Sequence, residues 1–209
     1  MTNPIRSGET ILFIGDSITD AGRTNHLPPL GGGYVNMFRN LVMADHPESD
    51  LTIINKGISG NTLKGLELRW QKDVLDIRSD RLMIMIGIND AAMQLNSSRN
   101  DEDVLNEFED TYKKLLHISL EKGMDILCMT PFFISKDSAS PLLNMTLKYI
   151  DRIKKICSEQ GVPLIDIHRV FQEKLQKSDP AFWSGDGVHP YEHGHMLIAR
   201  ELYKEMCNG

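Results

Sequence analysis

Short, nearly unbroken apolar runs alternate with longer stretches of helical period from one end of the chain to the other. Five runs read as strands: TILFIG (10–15), LTIINKG (51–57), RLMIMIG (81–87), DILCMTP (125–131) and VPLIDI (162–167). Runs without strict polar alternation are expected of strands covered on both faces. Between them, apolar positions recur at three- and four-residue intervals over about 34–46, 63–78, 101–121, 142–160 and 191–206, with a shorter helix over 168–177. Gly123 and Gly161 stand where helices should stop, and Pro131 and Pro163 punctuate the junctions. Strands alternating with helices predict βαβ units with right-handed crossovers. The expected fold class is therefore α/β, with a five-stranded parallel sheet. No repeat or linker divides the chain, and 209 residues suit one core, so a single domain over 1–209 is expected.

Composition narrows the partners. A net charge of −6, with no basic stripe interleaved with aromatics, argues against nucleic acid. No apolar stretch approaches the roughly 20 residues that a membrane span needs, and MTNPIRSGET lacks the apolar core of a secretory signal. Cys128, Cys157 and Cys207 are odd in number and far apart, without metal-finger spacing. Free thiols in a reduced, cytoplasmic setting are expected.

In a parallel sheet the ligand site lies outside the carboxyl ends of the strands. Four chemically unusual stretches fall there. The first strand exits through Gly15-Asp16-Ser17, the second through NKGISGNT (55–62), the third through GIND (87–90), and SGDGVHP (184–190) precedes the last helix. A serine hydroxyl is a weak nucleophile and needs a base within reach. His189 can take the proton of Ser17 and return it to a leaving alcohol, while Asp186, three residues earlier, can fix the imidazole tautomer. The N–H groups of Ser17 and Gly60 and the side-chain amide of Asn89 can form an oxyanion hole.

Gly15-Asp16-Ser17, Gly60, Asn89 and Asp186-x-x-His189 resemble the conserved blocks of the SGNH hydrolases, or GDSL esterases. The blocks run in family order from residue 13 to residue 190, with Ile18 in place of the leucine of the GDSL name. This resemblance implies a flavodoxin-like three-layer α/β/α sandwich, a Ser17–His189–Asp186 triad, and no metal. GGGYV, NKGISGNT, RWQKDV, MIGIND and MTPFFI are similar to a narrower branch that contains intracellular-type acetylxylan esterases. That branch implies hydrolysis of acetyl esters on a small sugar substrate such as a xylo-oligosaccharide, and self-association into a homo-oligomer. Apolar residues on the terminal helices are the expected interface.

Each stretch has a plainer reading. GDS alone is a common turn, with Asp16 or Ser17 as a helix cap, and GIND alone is an ordinary turn. HPYEHGH invites metal ligation through His189, His193 and His195, but His189 precedes a proline and belongs to a loop, so metal is rejected. The substrate-binding candidates are Asp16, beside the nucleophile; Tyr34, with a core tyrosine as the alternative; and Trp183, with an anchor for the triad loop as the alternative. PPLGGGYV (28–35) is expected to be a flexible loop along the cleft. Water completes the second half-reaction, so no cofactor is expected. Rival functions are a lysophospholipase or thioesterase, a broad arylesterase, or a non-catalytic module that binds a small ligand. The absence of an extended apolar lid sequence disfavours an interfacial lipase.

Overall fold

The computed structural model describes residues 5–25 and 29–207. Five strands, β1 (Thr10–Gly15), β2 (Thr52–Gly57), β3 (Arg81–Met85), β4 (Asp125–Met129) and β5 (Leu164–Ile165), form one sheet in the order β2-β1-β3-β4-β5. Every pairing is parallel. The helices are α1 (Ser17–Asp20), α2 (Tyr34–Asp45), α3 (Leu63–Trp70), α4 (Ile88–Leu95), α5 (Asp101–Glu121), α6 (Pro141–Gln160), α7 (Ile167–Leu175), α8 (Pro180–Trp183) and α9 (Glu192–Cys207).

Successive side chains of a strand point to opposite faces, and β1 divides its apolar residues accordingly. Ile11 and Phe13 join a core with residues of α2, α7 and α9. Leu12 and Ile14 join a second core with residues of α3, α5 and α6. Two covered faces make the expected three-layer sandwich, and explain why the strands read as continuous apolar runs.

Three differences from the sequence expectation have local causes. The fifth strand shrinks to Leu164–Ile165: Pro163 has no N–H to donate, and Asp166 caps α7 by accepting from the Arg169 N–H at 3.0 Å. The third strand, expected over 81–87, stops at Met85, and GIND, expected just beyond the strand, opens α4. The helix expected over 63–78 is α3 followed by a π-helical turn, Gln71–Leu75.

The β1 and β3 termini lie side by side, with Gly15 in register with both Gly57 and Met85. The strand order changes direction here, which in this topology opens a crevice at the carboxyl edge of the sheet. Gly15 admits the close return of the chain: a Cβ there would lie 2.4 Å from both the Met85 carbonyl oxygen and Thr19 Oγ1. Among the described residues, no helix is long and apolar enough to cross a membrane. Cys128, Cys157 and Cys207 are free. Of the large hydrophobic side chains exposed among the described residues, Met196 is on the last helix; the others include Leu68, Met93, Leu120 and Leu147, on α3 to α6.

Candidate active site

The crevice brings together five residues drawn from four separate stretches. Ser17 opens the single-turn helix α1, and Asp16 caps it by accepting from the Ile18 N–H at 3.0 Å. The Ser17 Oγ lies 2.8 Å from His189 Nε2, and His189 Nδ1 lies 2.7 Å from Asp186 Oδ2. With Nδ1–H donated to the carboxylate, Nε2 is left as the acceptor for the serine proton.

The loop carrying Asp186 and His189 is held mainly by its own short-range bonds, with one long-range tie from the Ile134 N–H to the Gly187 carbonyl at 2.8 Å. Asp186 Oδ1 accepts the N–H groups of Val188 and His189 at 2.9 and 2.8 Å. Buried Ser184 accepts from the Gly187 N–H at 2.9 Å, and its Oγ sits 2.8 Å from the His189 carbonyl oxygen. An isolated bridge between Ser184 and Pro190 closes the loop. Partial burial pulls the Asp186 pKa up, but the bonds from His189, Val188 and Ser184 outweigh it and hold the carboxyl below its usual range. Asp186 and His189 are 54% and 56% exposed, so the relay is open to solvent.

The opposite wall is built from long-range contacts. Gly60 has φ +79°, a left-handed conformation that favours glycine, which adds a backbone reason for glycine to its lack of a blocking Cβ. Asn89 Nδ2 donates to the Asn61 carbonyl at 2.9 Å, which leaves the second amide N–H for another acceptor. Asp90 accepts from the Leu63 N–H with both oxygens, at 3.0 and 3.2 Å, fixing the start of α3 behind the loop. Ser59 Oγ donates to Asp20 Oδ2 at 2.7 Å, tying the loop to α1. Among the described residues, neither the Ser17 N–H nor the Gly60 N–H has a hydrogen-bond partner. Burial, with the charge of Asp90 adding to it, pushes Asp16 up to about 7; burial does the same to Asp90. A cavity of about 630 Å³ behind this wall, lined in part by Thr62, Leu63, Asp90, Met93 and Phe108, includes none of the three relay residues.

Each of the substrate-binding candidates has a structural partner. Asp16 is 1% exposed and spends its carboxylate on the cap of α1. Tyr34 is fully buried, with its hydroxyl 2.9 Å from Thr19 Oγ1, and is a core residue. Trp183 is buried against Phe171 and donates Nε1–H to Ser178 Oγ at 2.7 Å, which makes it an anchor beneath the triad loop. His193 Nε2 bonds the Phe182 carbonyl, and His195 Nδ1 accepts the Tyr34 N–H at 3.3 Å. Burial and the neighbouring His189 push His195 down to about 4. Of PPLGGGYV, Pro28 lies outside the described residues; Gly31 and Gly33 press against α1 and the residue after it, Gly33 also against His195. Ser184, Asp20, Asp90 and Arg69 have structural duties that the sequence reading missed. The Ser-x-Asp spacing in SGDG was the available signal for Ser184, because serine turns of this kind are local.

The sequence matches the GDSL-like Lipase/Acylhydrolase family over residues 13–197. The chain belongs to that family. It is accordingly a carboxylic ester hydrolase. An acetylxylan esterase from Geobacillus stearothermophilus is 38% identical over 209 residues, spanning 97% of this chain and 95% of the relative. The solved structure of the acetylxylan esterase Axe2 from the same organism superposes with a TM-score of 0.88 at 37% identity, covering 96% of this chain and 95% of that one. LAE5, an alpha/beta hydrolase enzyme from the Lake Arreo metagenome, is 31% identical with a TM-score of 0.86 and covers 95% of each chain. Solved variants described as catalytic mutants of Axe2 replace a serine, a histidine and an aspartate, the last two three positions apart.

Proposed function

We propose that this GDSL-family chain, as a single domain, is a serine esterase that removes acetyl groups from hydroxylated small molecules, xylo-oligosaccharides first among them. The observation that carries the reading is the relay Ser17 Oγ–His189 Nε2 at 2.8 Å and His189 Nδ1–Asp186 Oδ2 at 2.7 Å; the Ser17 and Gly60 N–H groups and the Asn89 amide are the proposed oxyanion donors. Ser17 attacks the acetyl carbonyl as His189 takes its proton. The tetrahedral oxyanion is met by the two N–H groups and the Asn89 amide. His189 then protonates the departing sugar hydroxyl, and water, activated by the same imidazole, releases acetate and regenerates Ser17. Asp186 holds the imidazole in its tautomer and stabilises the imidazolium.

The sugar part of the reading is supported by the acetylxylan esterase relatives at 37–38% identity. The rings of Phe182 and Tyr191, 57% and 48% exposed beside the triad loop, offer the aromatic surface on which a pyranose ring packs. A relay open to solvent suits a small, soluble ester. The free thiols fit the cytoplasmic setting that this reading assigns, where imported oligosaccharide is the accessible target. A homo-oligomer remains part of the proposal.

The test compares wild type with Ser17→Ala on p-nitrophenyl acetate, butyrate and octanoate and on acetylated xylose, with acetate release as the readout. Highest turnover on acetate, deacetylation of the sugar, and loss of both in Ser17→Ala are expected. A preference for octanoate would favour the lysophospholipase or thioesterase reading. A folded wild type inert on every ester would overturn the proposal.

A further inference from the structure

The stretch RWQKDV (69–74) has no place in the relay or the oxyanion hole, yet its arginine reaches both. Arg69 lies in the last turn of α3 with its side chain only 14% exposed. Its Nε donates to Asn61 Oδ1 at 2.8 Å, Nη1 to the Lys56 carbonyl at 2.8 Å, and Nη2 to the Gly15 carbonyl at 3.3 Å. The Gly15 peptide leads directly into Asp16-Ser17. The Lys56 carbonyl lies at the end of β2, where the Gly60 loop begins. Asn61 follows Gly60, and its own carbonyl receives the Asn89 amide. The Gly15 carbonyl also accepts the Ile58 N–H at 3.1 Å, so the two segments already meet at the atom Arg69 grips.

The charge is balanced locally. Asp73 Oδ2 accepts from Nη1 at 2.9 Å, and its Oδ1 lies 3.4 Å from Lys56 Nζ. Asp73 sits on the π-helical turn Gln71–Leu75, a form that recurs at functional sites, and the turn brings its carboxylate against Arg69. A planar guanidinium can hold three acceptors in fixed directions, which an ammonium cannot.

We infer that Arg69 is a positioning residue for the esterase reaction: by gripping Gly15, Lys56 and Asn61 together, it sets the spacing between the Ser17 and Gly60 N–H donors. The inference rests on the proposed acyl-enzyme mechanism and adds a residue to it. Only a transition-state interaction is lost when that spacing relaxes, so the loss falls on kcat and not on KM.

The experiment uses p-nitrophenyl acetate turnover and the rate of Ser17 labelling by a fluorophosphonate, in Arg69→Gln, Arg69→Lys, Asn61→Ala and the double variant Arg69→Gln/Asn61→Ala. Thermal melts correct each rate for the folded fraction. Arg69→Gln is expected to lower kcat about 100-fold, the scale of a misplaced reacting group, with KM within threefold and labelling slowed in parallel. Arg69→Lys should recover part of the loss. Asn61→Ala should lower kcat by itself and add less than its own factor in the double variant, because both changes break one contact. A wild-type kcat in folded Arg69→Gln, or full multiplication of the two losses, overturns the inference and leaves the esterase reading standing. An inert wild type overturns the esterase reading itself.

Discussion

The two walls of the crevice are held in different ways. The wall with Asp186 and His189 is a seven-residue loop whose side-chain bonds join residues no more than five apart, with one long tie from the Ile134 N–H to the Gly187 carbonyl at 2.8 Å, and it is half exposed. The wall with Ser17, Gly60 and Asn89 is tied by contacts that span 27 to 54 residues: Leu63 to Asp90, Asn61 to Asn89, Ser59 to Asp20, and Arg69 to Gly15. The difference suits the chemistry proposed for each wall. An imidazole must rotate slightly and exchange protons with water, so a solvated local turn suffices. Oxyanion donors act only if they are already in place when charge develops, so they are fixed by a rigid network. Two carboxylates buried behind the oxyanion wall, Asp16 and Asp90, are pushed up to about 7, while Asp20 on that wall and Asp186 on the other are held below their usual range by their hydrogen bonds.

The largest effects should come from breaking the relay that joins the walls. Ser17→Ala and His189→Ala are each expected to reduce kcat about 10⁴- to 10⁶-fold on p-nitrophenyl acetate, and Asp186→Asn about 10⁴-fold, with the double Ser17→Ala/His189→Ala no worse than either alone. Multiplying losses would mean that the two do not act as a unit. Next comes the preorganised wall: Asn89→Ala should cost about 10²- to 10³-fold in kcat at nearly constant KM. If KM rose instead, the amide would be binding ground-state substrate.

Asp16 and Asp90 should respond to pH with the opposite sign to Asp186. Asp16 and Asp90 keep their protons to about 7 in the folded state, against about 3.9 for an unperturbed aspartate. Between these values the unfolded chain binds fewer protons, so their contribution is full below about 4 and is lost as pH rises through 7. Asp186 is shifted downward; its contribution is present above the usual carboxylate range and is lost as pH falls. Urea unfolding from pH 2 to 8 should therefore show a shallower loss of stability between pH 4 and 7 in Asp90→Asn than in wild type. In Asp186→Asn that limb should stay unchanged and the acid limb should flatten. Equal slopes in all three proteins would sink the division.

The smallest effects belong to one residue behind each wall. Tyr34→Phe removes the 2.9 Å contact with Thr19, and Trp183→Phe removes the 2.7 Å bond to Ser178. Each should lower stability by about 1–2 kcal/mol in urea unfolding and leave KM for acetylated xylose unchanged. A large rise in KM for Trp183→Phe would return it to the sugar site.

The triad loop was legible because its logic is local: Asp186-x-x-His189 is a spacing, and a spacing is visible in one dimension. The parallel sheet was legible for a related reason, since burial on both faces leaves continuous apolar runs. Ser17, Gly60 and Asn89 could be placed at one edge because three strand ends share that edge in any sheet of this kind. Tyr34 and Trp183 could not be assigned from sequence, because an aromatic ring has the same letter in a core as in a cleft. Asp16 had two readings for the same reason, and only its burial made it a cap. The π turn after α3 and the early opening of α4 at GIND were hidden because tertiary contacts, Lys56 to Asp73 and Leu63 to Asp90, outweigh local propensity there. By itself the sequence determined the class of fold, the order of the strands' chemistry and the local acid–base pair. Tertiary structure alone decided how the oxyanion donors are held, because that depends on side chains reaching across tens of residues to backbone atoms that no pattern in the chain marks.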